Sequence, residues 1–245
     1  MRLPYLLMIL LFLSSCSNYF KIKRGNGEID TNEYFFESFE KINIGGNYKV
    51  KLQHSENPKI LIETDENLLE YLTVEVHDDE LVINSYYNLK PTESVNIEIY
   101  YSDLNKITST GASSIEHHTE LKSDDLEISL SGAGAIEMML DVDELELSLS
   151  GAGLIDLEGY AYSQIIHLSG AGALEAEKLE SRYTEIHISG VGNAKVNARK
   201  ELNATITGMG NVEYYGDPDE VIRNITGLGK VERAEGTFDW KEENI

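Results

Sequence analysis

Ser131-Gly132-Ala133-Gly134 is the stretch that decides how this chain folds, because it comes back with small changes almost to the end. It returns as Ser150-Gly151-Ala152-Gly153, Ser169-Gly170-Ala171-Gly172, Ser189-Gly190-Val191-Gly192, Thr207-Gly208-Met209-Gly210 and Thr226-Gly227-Leu228-Gly229, after a worn first copy at Thr110-Gly111-Ala112-Ser113. From first glycine to first glycine the steps are 21, 19, 19, 20, 18 and 19 residues. Self-similarity at such a period marks a stacked repeat architecture.

Around each glycine pair the sequence alternates apolar and polar. Before the turn Leu126, Ile128, Leu130 and Leu145, Leu147, Leu149 point inward and Glu127, Ser129, Glu146, Ser148 outward; after it Ile136 and Met138, then Ile155 and Leu157, resume the pattern. That is the period of a half-buried strand, so each unit is read as two short strands joined at a glycine corner. Glycine suits such a reversal because it reaches positive backbone dihedrals and lets neighbouring backbones come close. The apolar residue between the two glycines is expected to plug the corner from inside. The preceding file of Thr110, Ser131, Ser150, Ser169, Ser189, Thr207 and Thr226 is expected to form a hydroxyl ladder. Its serines have no neighbouring base, so they read as structural rather than nucleophilic. One unit cannot bury its apolar face alone, whereas units stacked roughly 4.8 Å apart share one core; seven coils make a rod roughly 30–35 Å long. The fold class is all-β, with a β-solenoid over residues 107–235.

The chain has 245 residues and a formal charge of −23, with four prolines and 41% hydrophobic residues, enough for a large core. So acidic a surface repels nucleic acid and anionic headgroups. Residues 1–15 carry Arg2 and the apolar run Leu6–Leu13, too short to span a bilayer, and read as a secretory signal. Leu13-Ser14-Ser15-Cys16 resembles a bacterial lipobox, which makes Cys16, the single cysteine, the expected lipidation site and the membrane contact. Residues 16–33, with Lys21, Lys23, Arg24 and Gly25-Asn26-Gly27, read as a flexible tether. The implied location is the cell envelope, lipid-anchored at the outer membrane, with periplasmic and surface orientations both open.

Residues 34–106 lack the glycine signature but carry strand signals at 39–44, 48–53, 59–63, 72–76, 80–84 and 95–101, with a helical turn at 65–71. This N-terminal half of the same domain is expected to cap one end of the stack, since a bare coil edge invites association. Residues 236–245 are expected to cover the other end with Phe238 and Trp240.

The Ser-Gly-Ala-Gly turns, the strands Leu154-Ile155-Asp156-Leu157 and Asn193-Ala194-Lys195-Val196, and the N-terminal Phe39-Glu40-Lys41-Ile42-Asn43-Ile44 before Gly45-Gly46 together resemble the family called putative auto-transporter adhesin, head GIN domain. The resemblance covers residues 34–235. It implies a right-handed β-helix-like fold shaped like pectin lyases, on secreted or lipid-anchored envelope proteins, and a role in adhesion. It brings no catalytic residues.

The structural turn residues are Gly111, Gly132, Gly134, Gly151, Gly153, Gly170, Gly172, Gly190, Gly192, Gly208, Gly210, Gly227 and Gly229. Stacking also aligns Glu116, Glu137, Asp156, Glu175, Lys195, Glu213 and Glu232, either as a solvated file or as carboxylates bridged by calcium. His167 and His187 should be neighbours on successive coils, an incomplete metal site that reads better as surface histidines; His117-His118 is read the same way. With no catalytic constellation, the function expected is that of a non-enzymatic envelope lipoprotein whose solenoid binds a protein or glycan ligand, with a homo-oligomer as an option. The alternatives are a carbohydrate-active enzyme and a structural or signalling-associated envelope component.

Overall fold

The computed structural model describes residues 21–234. The expected signal, Cys16 and the segment 236–245 lie outside the described residues. In chain order β1 (Ile22–Arg24) and β2 (Ile29–Phe35) precede β3 (Lys41–Gly45), β4 (Tyr48–His54), β5 (Lys59–Asp65), the one-turn helix α1 (Glu66–Leu69), β6 (Thr73–His77), β7 (Glu80–Asn84), β8 (Asn88–Lys90), β9 (Val95–Tyr101) and β10 (Lys106–Ser109). The repeats follow as β11 (Ser114–Leu130), β12 (Ala135–Leu149), β13 (Leu154–Leu168), β14 (Ala173–Ile188) and β15 (Asn193–Ile206), then β16 (Met209–Tyr215), β17 (Glu220–Ile225) and β18 (Leu228–Arg233).

The repeats form a β-solenoid of parallel coils stacked in register, Ile136 on Ile115, Ile155 on Ile136, Leu174 on Ile155. Each coil from β11 to β15 is one long bent strand rather than two short ones. The bend lies where the inward alternation skips a residue, from Val142 to Leu145, leaving Asp143 and Glu144 both outward as a second corner. Unequal steps are absorbed in bulges: the two extra residues of the 21-residue step, His118 and Thr119, drop out of the β11–β12 ladder. The inward files Ile128, Leu147, Ile166, Ile186, Ala204 and Leu130, Leu149, Leu168, Ile188, Ile206 run through the stack fully buried. Each large side chain so buried contributes about 1.5–3 kcal/mol, shared across coils so that no unit folds alone.

The glycine corners are continuous with the strands. The N–H of Ala133 donates to the Gly111 carbonyl (2.9 Å), Ala152 to Gly132 (3.0 Å), Ala171 to Gly151 (2.9 Å) and Val191 to Gly170 (2.9 Å), so main-chain bonds cross every corner. The first glycine of each corner lies against the carbonyl of the corner below, where a Cβ would overlap the oxygen. This corrects the expectation of positive dihedrals: among the described glycines positive φ occurs at Gly27, Gly159 and Gly216, at none of the corners. Close approach, not backbone conformation, excludes other residues here. The inward plug is corrected as well. Alternation runs unbroken from Leu130 through Gly132 and Gly134 to Ile136, which turns Ala133 and its counterparts out to solvent. The Ser and Thr file is likewise exposed; Thr110 donates its hydroxyl to the Ile44 carbonyl of the coil below at 3.5 Å, while main-chain bonds join each corner to the next.

The N-terminal half supplies two further coils, visited out of order. β3 and β4 lie directly beneath β10 and the start of β11, with Gly46 under the corner at Gly111; β7 and β9 lie beneath β3 and β4. Antiparallel β6 on β7, β5 on β9 and β2 on β5 then finish that end.

Residues 21–33, expected as tether, are built into the domain instead: β1 pairs with β8 and β2 with β5. The latch is Asp65. Its fully buried carboxylate accepts the Gly27 N–H (2.7 Å), the Thr92 N–H (2.9 Å) and the Thr92 hydroxyl (2.8 Å). Burial pushes this carboxyl up, but the hydrogen bonds from Thr92 and Gly27 outweigh it and hold it below the usual carboxylate range.

Candidate binding surface

The turned-out corner residues build an open groove of about 750 Å³ along the rod. Its floor is the backbone at Gly153, Gly172, Gly192 and Gly210, where a Cβ would press on a carbonyl below or on a core leucine or isoleucine. One wall is the middle-residue file, alanine in the early coils and then Val191, Met209 and Leu228, which are 54%, 52% and 76% exposed. The other wall begins at Leu154, 43% exposed, and passes through Ala173 to Asn193 and Asn211. Large apolar side chains held in water on one line are the kind of patch that marks a contact surface. The line is also rigid, because the bonded main chain of the corners carries it. Reading Val191, Met209 and Leu228 as core plugs missed this ridge, although the alternation through the corner carries the signal.

A second outward file stands on the neighbouring face. The register gives the order Glu98, Lys51, Glu116, Glu137, Asp156, Glu175, Lys195, Glu213, Glu232. The candidates Glu116, Glu137, Asp156 and Glu175 are therefore four consecutive carboxylates, closed at each end by a lysine. Lys195 pairs with Glu175 and with Glu177 at 3.5 Å, which holds its ammonium well above the usual lysine range; the Glu175 hydrogen bond is the main cause. Mid-file, Asp156 is pushed up, first by partial burial and then by Glu158, Glu177 and Glu137, with Lys178 opposing. The file is thus not uniform. A carboxyl raised on folding opposes stability wherever it is ionised, an effect relieved as pH falls through its folded value. Asp156→Asn is accordingly expected to raise the melting temperature by on the order of 1 °C at neutral pH. In calorimetry that gain should vanish below the carboxylate range. Among the described residues no group of three or more His, Cys, Asp or Glu side chains is placed to hold a metal ion, and the calcium-bridged alternative gains no ligand set.

His167 and His187 do meet on successive coils, stacked with ring centroids 5.2 Å apart and planes 13° from parallel, and Glu185 binds His187 at 2.8 Å. The pair His117-His118 splits. His118 is outward beside Glu116, but His117 is buried in the inward file of Met138, with the Tyr101 hydroxyl 2.6 Å from Nε2. Burial lowers its tendency to protonate. The sequence reading of His117 as a surface residue fails because its position in the alternation outweighs its polarity. Along the second corner a broader groove of about 1280 Å³ is lined by Asp103, Asp124, Asp125, Asp143 and Glu144, with Lys106 and Lys122 paired to Glu127 and Asp141. No helix among the described residues is long and apolar enough to cross a membrane.

The model of the family described as "Putative auto-transporter adhesin, head GIN domain" matches residues 38–218. A crystal structure of a putative adhesin from Bacteroides fragilis superposes with a TM-score of 0.83 at 25% identity, covering 86% of this chain and all of the other. A putative lipid binding protein from Parabacteroides distasonis gives 0.72 at 25% identity, covering 88% of this chain and 100% of its own. A putative adhesin from Parabacteroides distasonis shares the fold with a TM-score of 0.73 at 21% identity, over 87% of this chain and 100% of its own. No curated protein matches the chain.

Proposed function

Because this chain belongs to the family of putative auto-transporter adhesins with a head GIN domain, we propose that it is a non-enzymatic adhesion module of the cell envelope, held to the outer membrane through acyl chains on Cys16. Its ligand, a protein or glycan surface, docks along the glycine-floored corner. The observation that carries this reading is the ridge of Val191, Met209 and Leu228, kept in water on a main chain that cannot yield. A rigid ridge loses little conformational entropy when it docks, so most of its apolar area is available for binding. The carboxylate file and the charge of −23 bias the choice toward neutral or cationic ligands.

The test replaces Val191, Met209 and Leu228 together by aspartate. The three side chains are exposed, so the fold should survive, as circular dichroism and an unchanged melting temperature would show. Retention on a panel of glycans, matrix proteins and intact envelopes should fall at least about tenfold for the true partner. Unchanged retention on every partner that binds the parent chain removes the corner as the contact surface. The same apolar line favours a second reading, drawn from the structure described as a putative lipid binding protein of Parabacteroides distasonis: the groove takes an acyl chain. Flotation of a Cys16→Ser chain with phosphatidylcholine vesicles separates the two. A chain that floats only when Cys16 is present is anchored by its lipid and free to use the corner for another partner; one that floats without Cys16, and sinks again with the triple aspartate, is a lipid binder.

A further inference from the structure

We propose that the pocket beneath the lowest glycine corner, at Gly46, binds an acidic sugar: a saccharide residue that carries a carboxylate or a sulfate group. The glycine column stops there because the coil below opens out. Two residues separate Gly45 from Tyr48, whereas ten separate their partners in that coil, Asn84 and Val95. The excursion is held by β8 on β1 and by Thr92 on Asp65, and between it and the corner lies an open pocket of about 840 Å³. Sites for small molecules span roughly 300–1,000 Å³. Five coil steps, about 24 Å, separate the Gly46 corner from the one that carries Val191, so the pocket is independent of the apolar ridge.

Tyr48 is 4% exposed, and its ring takes the place of the missing corner: a Cβ on Gly46 would stand 2.2 Å from Cζ and 2.5 Å from the hydroxyl. Tyr48 lines the pocket, and its hydroxyl has no hydrogen-bond partner among the described residues. Burial pushes this phenol up to about 12, so at neutral pH it is an O–H donor. Asn47 is the counterpart of Ala112, whose N–H donates to the Gly46 carbonyl at 2.6 Å; with no such corner below it, the Asn47 N–H has no acceptor among the described residues. Every described lysine from Lys106 onward pairs with a carboxylate. Lys49 and Lys90, in the pocket wall, pair with none among the described residues, and the wall holds one acidic residue, Glu93. Donors and ammonium groups left without acceptors call for an oxyanion. The hydroxyls of Ser85 and Ser94 and the aromatic ring of Tyr87 suit the sugar that carries it. That ring is fixed in place by Tyr71, with centroids 5.0 Å apart, and by the Lys23 ammonium 4.9 Å from its centroid.

The test titrates the ¹⁵N-labelled full chain with methyl glucuronide and with methyl glucoside 6-sulfate, which separate the two anions, and with methyl glucoside as the neutral control. At least one acidic sugar should shift the amide signals of Asn47 and Ser94 with a Kd on the order of 1 mM, and the neutral sugar should bind at least about tenfold more weakly. Lys49→Ala with Lys90→Ala, both at exposed positions, should weaken binding about tenfold, and Tyr48→Phe should weaken it several-fold, while the remaining amide spectrum stays that of the parent. The triple aspartate at the ridge should bind the sugar as the parent does, so a failure of the ridge as a contact surface leaves this result standing. No shift with either acidic sugar, equal binding by methyl glucoside, or binding indifferent to both variants overturns the inference. Acetate or inorganic sulfate bound as tightly as the sugars overturns it too, and assigns the pocket to a bare oxyanion such as a peptide C-terminus.

Discussion

Gly151→Ala should cost at least about 4 kcal/mol of folding stability, far beyond the usual effect of adding one methyl group. The new Cβ would overlap the carbonyl oxygen of Gly132 in the coil below, and the same oxygen accepts the Ala152 N–H at 3.0 Å. Backbone meets backbone there, so no side chain can rotate aside. The coils must separate, which breaks the ladder on both sides of the corner. Two companion variants in the same urea titration locate the cause. Gly192→Ala, whose Cβ would sit 2.8 Å from the Gly172 oxygen, should cost about 1–2 kcal/mol. Ala152→Val, at the outward middle position, should stay within about 0.5 kcal/mol of the parent. Equal losses for Gly151→Ala and Ala152→Val would mean that close stacking at the first glycine is not what limits the corner.

The second large effect belongs to Asp65. Asp65→Ala removes the acceptor of three hydrogen bonds inside the protein and leaves the Gly27 and Thr92 donors without a partner, a loss of about 3 kcal/mol. It should also free β1 and β2 from the body, so limited proteolysis should cut between residues 22 and 35 in the variant before it cuts the parent. Asp65→Asn tests whether charge or shape matters: it keeps one acceptor oxygen but turns an NH₂ toward a donor, and should recover only part of the loss. The pH dependence follows from the lowered titration of this carboxyl. Its contribution is complete above the ordinary carboxylate value of the unfolded chain and disappears as pH falls through the lower, folded value. The parent should therefore lose stability on acidification below the carboxylate range more steeply than Asp65→Ala, and parallel curves would remove Asp65 as the latch.

How much of this was legible in the sequence differs from element to element for physical reasons. The coils from β11 to β15 were plain because period-two burial and the glycine step report the same register twice. The same alternation, followed through Leu130, Gly132, Gly134 and Ile136, also assigns Ala133 to the outside. Treating the corner as a break in the strand hid that, and with it the apolar ridge. The order of the first coils was out of reach: β3 and β4 sit above β7 and β9 although they come earlier in the chain, and nothing local records which coil a strand joins. β2 was lost for a related reason. It is an edge strand exposed almost throughout, held by main-chain bonds that leave no mark on side-chain type. Asp65 precedes Glu66-Asn67-Leu68-Leu69 and looks like a helix cap, yet its side chain makes no capping bond and turns to Gly27 and Thr92 instead.

The unbroken main-chain contact from one corner to the next also constrains how such a rod changes size. Adding or deleting a few residues inside a coil is tolerated at the bulges near His118 or at the outward second corner, where the ladder already lets residues out. A change of height must insert or remove an entire lap of about nineteen residues, because any fraction would leave a glycine facing a side chain across the junction. Natural variants of this molecule should accordingly differ in height by discrete increments, each moving the outermost ridge residues roughly 4.8 Å farther from the membrane anchor proposed for Cys16.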